Sequence, residues 1–148
     1  MKIGILGGSF DPPHIGHVLI AEQLIEFGYV DRVCFMPVYK HTFDKELSSV
    51  PDRIAMIKLL DIPHTEVSTL EIDNELDGNT INLVPLLKKE YPKDEVFFVI
   101  GTDQLQSFTK WGEWEKLSEA LNFLVVPRPE YPPEPLYGHM QVVSEELW

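Results

Sequence analysis

Two histidines near the amino terminus, His14 and His17, have a spacing that suits the binding of an anion. The segment from Ile15 to Phe27 has the pattern of an amphipathic helix, and side chains three residues apart lie on one side of a helix. A helix also attracts negative charge at its amino terminus, through its dipole and its free N–H groups. We therefore predict that both rings face a phosphate group; the alternative is that they are merely solvated.

The neighbouring residues predict how this phosphate site is built. The apolar run from Ile3 to Leu6 is typical of a buried strand, and Gly7 and Gly8 predict a tight turn directly after it. Because glycine has no Cβ, backbone N–H groups near Gly8 and Ser9 could approach the anion closely. Gly16, between the histidines, would keep the helix surface low enough for a ligand to lie against it.

The composition favours one domain that acts on small molecules or binds a protein. The chain has 148 residues, which is the size of a single domain. Twelve basic and twenty-four acidic residues give a net charge of −12, which repels nucleic acid and anionic membranes. A polyanionic ligand must then be met locally, and the candidate cations are Lys40, Arg53, Lys110 and Arg128.

The single cysteine and the hydropathy pattern bear on the compartment. Cys34 lies in the apolar run from Arg32 to Met36, so we expect a core residue rather than a nucleophile, and no disulfide framework. No apolar run approaches the roughly 20 residues that a membrane span needs. We therefore expect a cytoplasmic protein without a membrane partner.

Strands and helices alternate along the chain, which predicts an α/β fold with a doubly wound parallel sheet. Such folds bind ligands outside the carboxyl ends of the strands. Asp103 follows a strand predicted at Glu95 to Ile100, so we expect it at the edge of the site.

The remaining elements are predicted as follows. The other strands are Val33 to Met36, Glu66 to Leu70 and Phe123 to Val126. The other helices are Pro51 to Leu60, Ile81 to Tyr91, Gln104 to Phe108 and Glu113 to Ala120, and the loops are Pro37 to Val50 and Pro127 to Gly138.

The stretch GGSFDPPHIGH resembles the signature of the nucleotidyltransferase superfamily that carries a His-x-Gly-His motif. Within it, the chain is most similar to bacterial nicotinate mononucleotide adenylyltransferases, over roughly residues 1 to 130. It contains neither the GK[ST] ending of a Walker loop nor a GxGxxG fingerprint in this stretch. The resemblance implies a Rossmann-like nucleotidyltransferase domain that covers residues 1–148.

The resemblance also implies roles for individual residues. His14 and His17 would be catalytic and would clamp the phosphates of ATP. The implied ATP-binding residues are Gly7, Gly8, Ser9, Phe10, His14, Gly16, His17, Gly101, Asp103 and Arg128. The implied acceptor-binding residues are Lys40, Thr80, Trp111 and Gly112, with Trp111 stacked on the pyridine ring and Thr80 near its substituent.

Plain structural roles are the alternatives for several of these residues. Trp111 and Trp114, three residues apart, could both belong to the core. Thr80 could be a helix cap, Asp103 could cap the helix after its strand, and Lys40 could be an ordinary loop residue.

The implied reaction is transfer of AMP from ATP to the 5′-phosphate of nicotinate or nicotinamide mononucleotide, which gives the dinucleotide and pyrophosphate in NAD biosynthesis. The sequence has no carboxylate cluster for an all-protein metal site, so we expect Mg²⁺ to arrive with ATP. The alternatives are a different acceptor, of the phosphopantetheine or cytidylyl type, and a nucleotide-binding module with weak or no activity. The oligomeric state stays open, a homo-oligomer included.

One signature of the resembled family is missing from the sequence. This is Ile-Ser-Ser-Thr-x-x-Arg, which in the family starts a helix after the last strand and holds the β- and γ-phosphates of ATP. The nearest match, Ser48-Ser49, lies in the early loop. We therefore expect the 148-residue chain to be a weak catalyst or to lack its natural end.

Overall fold

A parallel sheet forms the centre of the computed structural model, which describes residues 1–39 and 47–143. Within these residues the sheet has six strands in the order β3-β2-β1-β4-β5-β6, and all neighbouring strands run parallel. The strands are β1 (Lys2–Gly8), β2 (Arg32–Pro37), β3 (Thr65–Val67), β4 (Glu95–Gly101), β5 (Asn122–Val126) and β6 (His139–Val142).

This strand order confirms the predicted doubly wound α/β fold. The chain first builds the sheet outward from β1 to β3, and then returns to the other side of β1 and builds outward from β4 to β6. The direction reverses between β1 and β4, and the carboxyl ends of these two strands border the crevice in which such folds bind ligands.

Helices connect the strands on both faces of the sheet. They are α1 (Ile15–Glu26), α2 (Val50–Lys58), α3 (Leu70–Asp73), α4 (Val84–Glu90), α5 (Thr102–Gln106) and α6 (Trp114–Ala120), with 3₁₀ turns at Thr80–Leu83 and Phe108–Lys110. Among the described residues, no helix combines the length and the apolar character that a membrane crossing needs.

The core has two parts, one on each face of the sheet, because successive side chains of a strand point to opposite faces. Cys34 of β2 and Phe98 of β4 belong to one part, whereas their neighbours Phe35 and Val99 belong to the other. Both faces are therefore covered, which explains why the strands read as continuous apolar runs. Burial raises the pKa of the Cys34 thiol to about 12, as expected for a core residue rather than a nucleophile.

Several elements differ from the sequence-based prediction, among them α5, which spans Thr102–Gln106 and not Gln104 to Phe108. The strand expected at Glu66 to Leu70 ends at Val67, because the Ser68 hydroxyl accepts the Leu70 N–H and α3 begins there. The helix expected from Ile81 to Tyr91 is a 3₁₀ turn followed by α4, with Pro85 in the first turn of α4, where its missing N–H costs nothing. The edge strand β6 was not predicted.

Candidate active site

The connection between β1 and α1 does not contain the predicted glycine turn. Gly7 and Gly8 are the last residues of β1 and pair with Met36 and Pro37 of β2. The reversal of the chain comes later, at Phe10, which has a left-handed φ of 49°. The prediction of a tight turn at the glycines is therefore wrong, because pairing with β2 holds them extended.

The Phe10 side chain packs against His17. The residue is 1% exposed, and its ring centroid lies 4.6 Å from that of His17 and 5.7 Å from that of Phe35. This implied ATP-binding residue is therefore buried, and its ring holds His17 in place.

The two histidines cap α1 and lie against each other. His14 is the N-cap, and its Nδ1 accepts the backbone N–H of Gly16 at 3.1 Å, while Nδ1 of His17 accepts the backbone N–H of His14 at 3.0 Å. The rings stack with centroids 3.9 Å apart. A neutral imidazole whose Nδ1 accepts a hydrogen bond carries its proton on Nε2. The caps therefore leave each neutral ring with an Nε2–H donor for a ligand.

The surroundings of His17 keep its ring neutral at physiological pH. Burial, together with the electrostatic effects of His14 and Arg128, lowers the pKa of His17 to about 4. His17 therefore meets a phosphate as a neutral hydrogen-bond donor and not as a cation.

Gly16 makes room for the His14 ring. A Cβ at Gly16 would lie 2.9 Å from Cε1 and Nδ1 of His14, which is closer than real Cβ atoms approach. Gly16 therefore has a packing role against the cap, and its role in keeping the surface low for a ligand stays a prediction.

We expect Gly16→Ala to reduce activity while leaving stability almost unchanged. Alanine gains up to about 1 kcal/mol of helix propensity over glycine, and loss of the His14 cap costs about as much. The His14 ring must swing aside, so kcat should fall about tenfold through its displaced donor. Thermal unfolding and steady-state kinetics of the variant and wild type test this. An unchanged kcat would show that the position of the His14 ring does not matter.

A second group of predicted residues meets at the ends of β4 and β5. Nε of Arg128 lies 3.5 Å from Oδ1 of Asp103, and the backbone N–H of Arg128 donates to the buried Thr102 hydroxyl at 2.8 Å. A Cβ at Gly101 would collide with Oδ1 of Asp103 and lie 3.1 Å from Nε of Arg128. Because Arg128 also acts on the pKa of His17, the structure brings this group and the histidines together.

The implied acceptor residues form a separate group. The Asp77 carboxylate accepts the backbone N–H of Asn79 at 3.0 Å and the side-chain amides of Asn79 and Asn82 at 3.0 and 3.1 Å, which lowers the pKa of Asp77. These bonds shape the loop that leads to Thr80, the first residue of a 3₁₀ turn. A Cβ at Gly112 would lie 3.3 Å from Oδ1 of Asn79, so this loop touches the Trp111–Gly112 segment.

The two tryptophans have different surroundings. Trp111 is half-buried, with its ring centroid 5.1 Å from that of Phe108. The Trp114 ring packs edge-on against both Phe108 and Tyr137, at 6.4 and 5.1 Å. Both indoles are therefore half-buried against Phe108, and Trp111 directly precedes Gly112, which touches the Asn79 loop.

Comparisons with known proteins agree with this geometry. Residues 5–146 match the family model described as Cytidylyltransferase-like. The nicotinate-nucleotide adenylyltransferase of Bacillus subtilis is 35% identical over 140 residues, which cover 92% of this chain and 74% of that protein. The chain belongs to the nicotinate-nucleotide adenylyltransferase family.

Solved structures support the fold of this family member. The Plasmodium falciparum nicotinic acid mononucleotide adenylyltransferase complexed with NaAD has a TM-score of 0.80 and 20% identity, and covers 97% of this chain and 76% of its own. The same enzyme complexed with APC has a TM-score of 0.77 and 19% identity, over 97% and 75% of the two chains.

Two of the predicted cations are not placed at the site of this adenylyltransferase family member. Lys40 lies outside the described residues. Arg53 is 1% exposed, and its guanidinium donates to the backbone carbonyls of Ser9, Val38 and Ser48 at 3.2, 2.7 and 3.1 Å. Arg53 is therefore not a ligand for a polyanion.

Several residues that organise the site were not predicted from sequence. They are Thr102, which joins the ends of β4 and β5; Glu71, which is buried near Arg53; and Asp77, Asn79 and Asn82, which shape the acceptor loop. The Asp-Gly-Asn sequence at 77–79 was a usable signal, because such residues favour loops closed by side-chain hydrogen bonds. The described ranges contain no group of three or more His, Cys, Asp or Glu side chains that could hold a metal ion.

Glu71 should make stability depend on pH near neutrality. It is 6% exposed, and burial, together with Asp77, raises its pKa to about 7 against the effects of Arg53 and the Tyr39 N–H. The folded protein therefore holds this proton more tightly than an unfolded glutamate with a pKa of 4.5. The contribution of Glu71 to the free energy of unfolding is therefore complete below pH 4.5 and is lost as the pH rises through about 7.

We expect wild type to lose about 1 to 3 kcal/mol of unfolding free energy between pH 5 and pH 8 relative to Glu71→Gln. Urea unfolding at both pH values measures the difference, and Glu22→Gln on the exposed side of α1 is the control. Parallel pH profiles for wild type and Glu71→Gln would contradict this assignment.

Proposed function

We propose that this chain transfers the adenylyl group of ATP to the 5′-phosphate of nicotinate mononucleotide, giving nicotinate adenine dinucleotide and pyrophosphate in NAD biosynthesis. Membership of the nicotinate-nucleotide adenylyltransferase family supports the reaction. The structural observation that carries the proposal is the pair of stacked, capped histidines with Nε2–H donors after β1, near enough to Arg128 after β5 for Arg128 to lower the pKa of His17.

The chemistry needs no general base. The attacking phosphate monoester has a second pKa near 6, so it is largely ionised at neutral pH. Catalysis then depends on holding the attacking oxygen, the α-phosphorus and the leaving pyrophosphate in line, and on stabilising the charge that develops. His14 and His17 would donate Nε2–H bonds to the phosphates, and Arg128 would supply positive charge.

The neutrality of His17 matters for this mechanism. Because the His17 ring is neutral, no second cation has to be held beside Arg128. The strength of its hydrogen-bond donor also does not change between pH 5.5 and pH 8, since the pKa of His17 is about 4. Mg²⁺ would enter as part of the substrate MgATP, bound to phosphate oxygens, and would neutralise charge on the pyrophosphate.

The acceptor would bind beside Trp111. Its pyridine ring would stack on the accessible face of the indole, and the backbone N–H of Gly112 and the Thr80 hydroxyl would lie near the ring substituent. Hydrogen-bond donors suit the carboxylate of the nicotinate form, which is therefore the proposed acceptor. The contact between Gly112 and the Asn79 loop supports one shared pocket for these residues.

The test is pyrophosphate release by the purified chain with MgATP and a panel of acceptors. We expect turnover with nicotinate mononucleotide, less with nicotinamide mononucleotide, and none with phosphopantetheine. A higher kcat/KM for the amide would overturn the acceptor assignment. Turnover with phosphopantetheine or with CTP would indicate another branch of the superfamily, and nucleotide binding without turnover would indicate a binding module.

A further inference from the structure

The buried guanidinium of Arg53 connects segments that lie far apart in the sequence. Its Nη1 donates to the carbonyl of Ser9 at 3.2 Å and to that of Val38 at 2.7 Å, and its Nε donates to the carbonyl of Ser48 at 3.1 Å. One nitrogen atom thus bridges the chain that leaves β1 to the chain that leaves β2. The exit of β1 leads to the histidines, and at the exit of β2 lies Glu71, which acts electrostatically on Asp77 of the loop that leads to Thr80.

Glu71 holds the same peptide unit from its other edge. The carbonyl of Val38 accepts from Arg53, and the N–H of Tyr39, which belongs to the same peptide plane, donates to the Glu71 carboxylate. Arg53 and Glu71 are both buried and act on each other electrostatically. The Val38–Tyr39 peptide is therefore clamped between an arginine of α2 and a glutamate of α3.

Asp11 extends this arrangement to the histidine side. It raises the pKa of Arg53, against the lowering by burial, and its Oδ2 accepts the backbone N–H of Ser48 at 2.7 Å. Ser48 is thus held by Asp11 through its N–H and by Arg53 through its carbonyl. The loop before α1 and the segment before α2 are joined by these bonds.

A buried ion pair is weak evidence for a purely stabilising role, because replacing both partners by apolar residues of similar volume is often neutral or stabilising. The rigid fork of a guanidinium, by contrast, is suited to holding several acceptors in a fixed geometry. Both bridged exits lie at the carboxyl ends of neighbouring strands, β1 and β2, and such folds bind ligands at this edge of the sheet.

We propose that Arg53 is a positioning residue that couples the ATP side of the site to its acceptor side, through the carbonyls of Ser9 and Val38. The clamp on the Val38–Tyr39 peptide by Glu71 completes the link. This inference rests on the two-substrate site of the proposed function, since coupling has meaning only when two ligands bind together. Arg53 acts through the backbone and touches neither substrate.

The test compares Arg53→Met, which removes the donors, with Lys58→Met, an exposed cation lost from the end of the same helix. We expect Arg53→Met to lower kcat about 100-fold, because displacements of about 1 Å have effects of that size. The Kd of each substrate, measured with the other substrate absent, should change by less than about threefold, and Lys58→Met should match wild type. A kcat for Arg53→Met equal to that of Lys58→Met would overturn the proposal.

Two further measurements test the proposal, one for the case that Arg53→Met does not fold and one that needs no turnover. If Arg53→Met does not fold, Arg53→Lys is read by the same criterion, and we expect a loss of at least about tenfold in kcat with an intact fold. Binding of a non-hydrolysable ATP analogue, with and without nicotinate mononucleotide, reports the coupling without chemistry. Wild type should bind the analogue more tightly when the mononucleotide is present, and the Arg53 variant should lose this difference.

These measurements distinguish failure of the proposed function from failure of the coupling role of Arg53. If wild type transfers no adenylyl group but the mononucleotide still tightens analogue binding in an Arg53-dependent way, the coupling stands and the reaction assignment falls. Equal coupling in wild type and variant would refute the role of Arg53 whatever the activity.

Discussion

Replacing His17 by alanine should lower kcat of adenylyl transfer by about 10²- to 10³-fold, which corresponds to about 2.7 to 4 kcal/mol for one donor aimed at developing charge. The Nε2–H of His17 is fixed by the cap that its Nδ1 makes with the backbone of His14. The KM for ATP should change little, because the donor acts mainly in the transition state. His14→Ala should behave in the same way.

The variant His17→Gln tests whether His17 acts as a neutral hydrogen-bond donor or as a cation. Its side-chain amide can supply an N–H near the position of Nε2 but carries no charge, so His17→Gln should retain more activity than His17→Ala. His139→Ala, at the exposed edge strand β6, is the control for loss of a histidine. Thermal unfolding of each variant verifies the fold. Wild-type turnover in folded His14→Ala and His17→Ala would show that the histidines do not clamp the phosphates.

Trp111→Ala should raise the KM for the mononucleotide by about 10- to 100-fold, because stacking of a base on an aromatic side chain is worth about 1 to 3 kcal/mol. The half-buried indole lies beside the loop that carries Asn79 and Thr80. The KM for ATP should stay within about twofold of wild type, since the histidine group is separate from this pocket.

Trp111→Phe is the matched control for that change. Phenylalanine keeps an aromatic face at position 111, so most of the acceptor affinity should return. Steady-state kinetics with each substrate varied in turn distinguish the two effects. An unchanged mononucleotide KM in folded Trp111→Ala would place the pyridine ring elsewhere.

The sheet and the longer helices could be predicted because their sequence signals are local. Apolar runs such as Glu95–Ile100 have few alternatives to a buried strand, and the helix from Ile15 ends within one residue of its predicted position. The edge strand β6 was missed because only one face of it is covered. His139 and Gln141 are exposed, so the short sequence does not have the pattern of a buried strand. The strand forms because it pairs with β5.

The details of the site were harder to predict because they depend on distant partners. Gly7 and Gly8 can form either a turn or a strand end, and pairing with β2 decides between them. Arg53 reads as one polar residue of an amphipathic helix, yet its burial depends on carbonyls at Ser9, Val38 and Ser48. The packing of Gly16 against the His14 ring likewise depends on how His14 caps the helix, which the sequence does not show.

The sequence also lacks the Ile-Ser-Ser-Thr-x-x-Arg signature of the family. The expectation that the 148-residue chain is therefore a weak catalyst stays a prediction, and a kcat within the range of relatives that carry the signature would contradict it. Arg128 is the described cation placed to act on the phosphate side of the site, through its effect on His17.

The central claim is that the histidine pair supports adenylyl transfer to a pyridine mononucleotide, and a product time course tests it most directly. The purified chain is incubated with MgATP and nicotinate mononucleotide, and the dinucleotide and pyrophosphate are quantified together. We expect the two products in equal amounts from wild type, and at a rate at least about 100-fold lower from His17→Ala. Pyrophosphate without dinucleotide, or equal rates from the two proteins, would contradict the account.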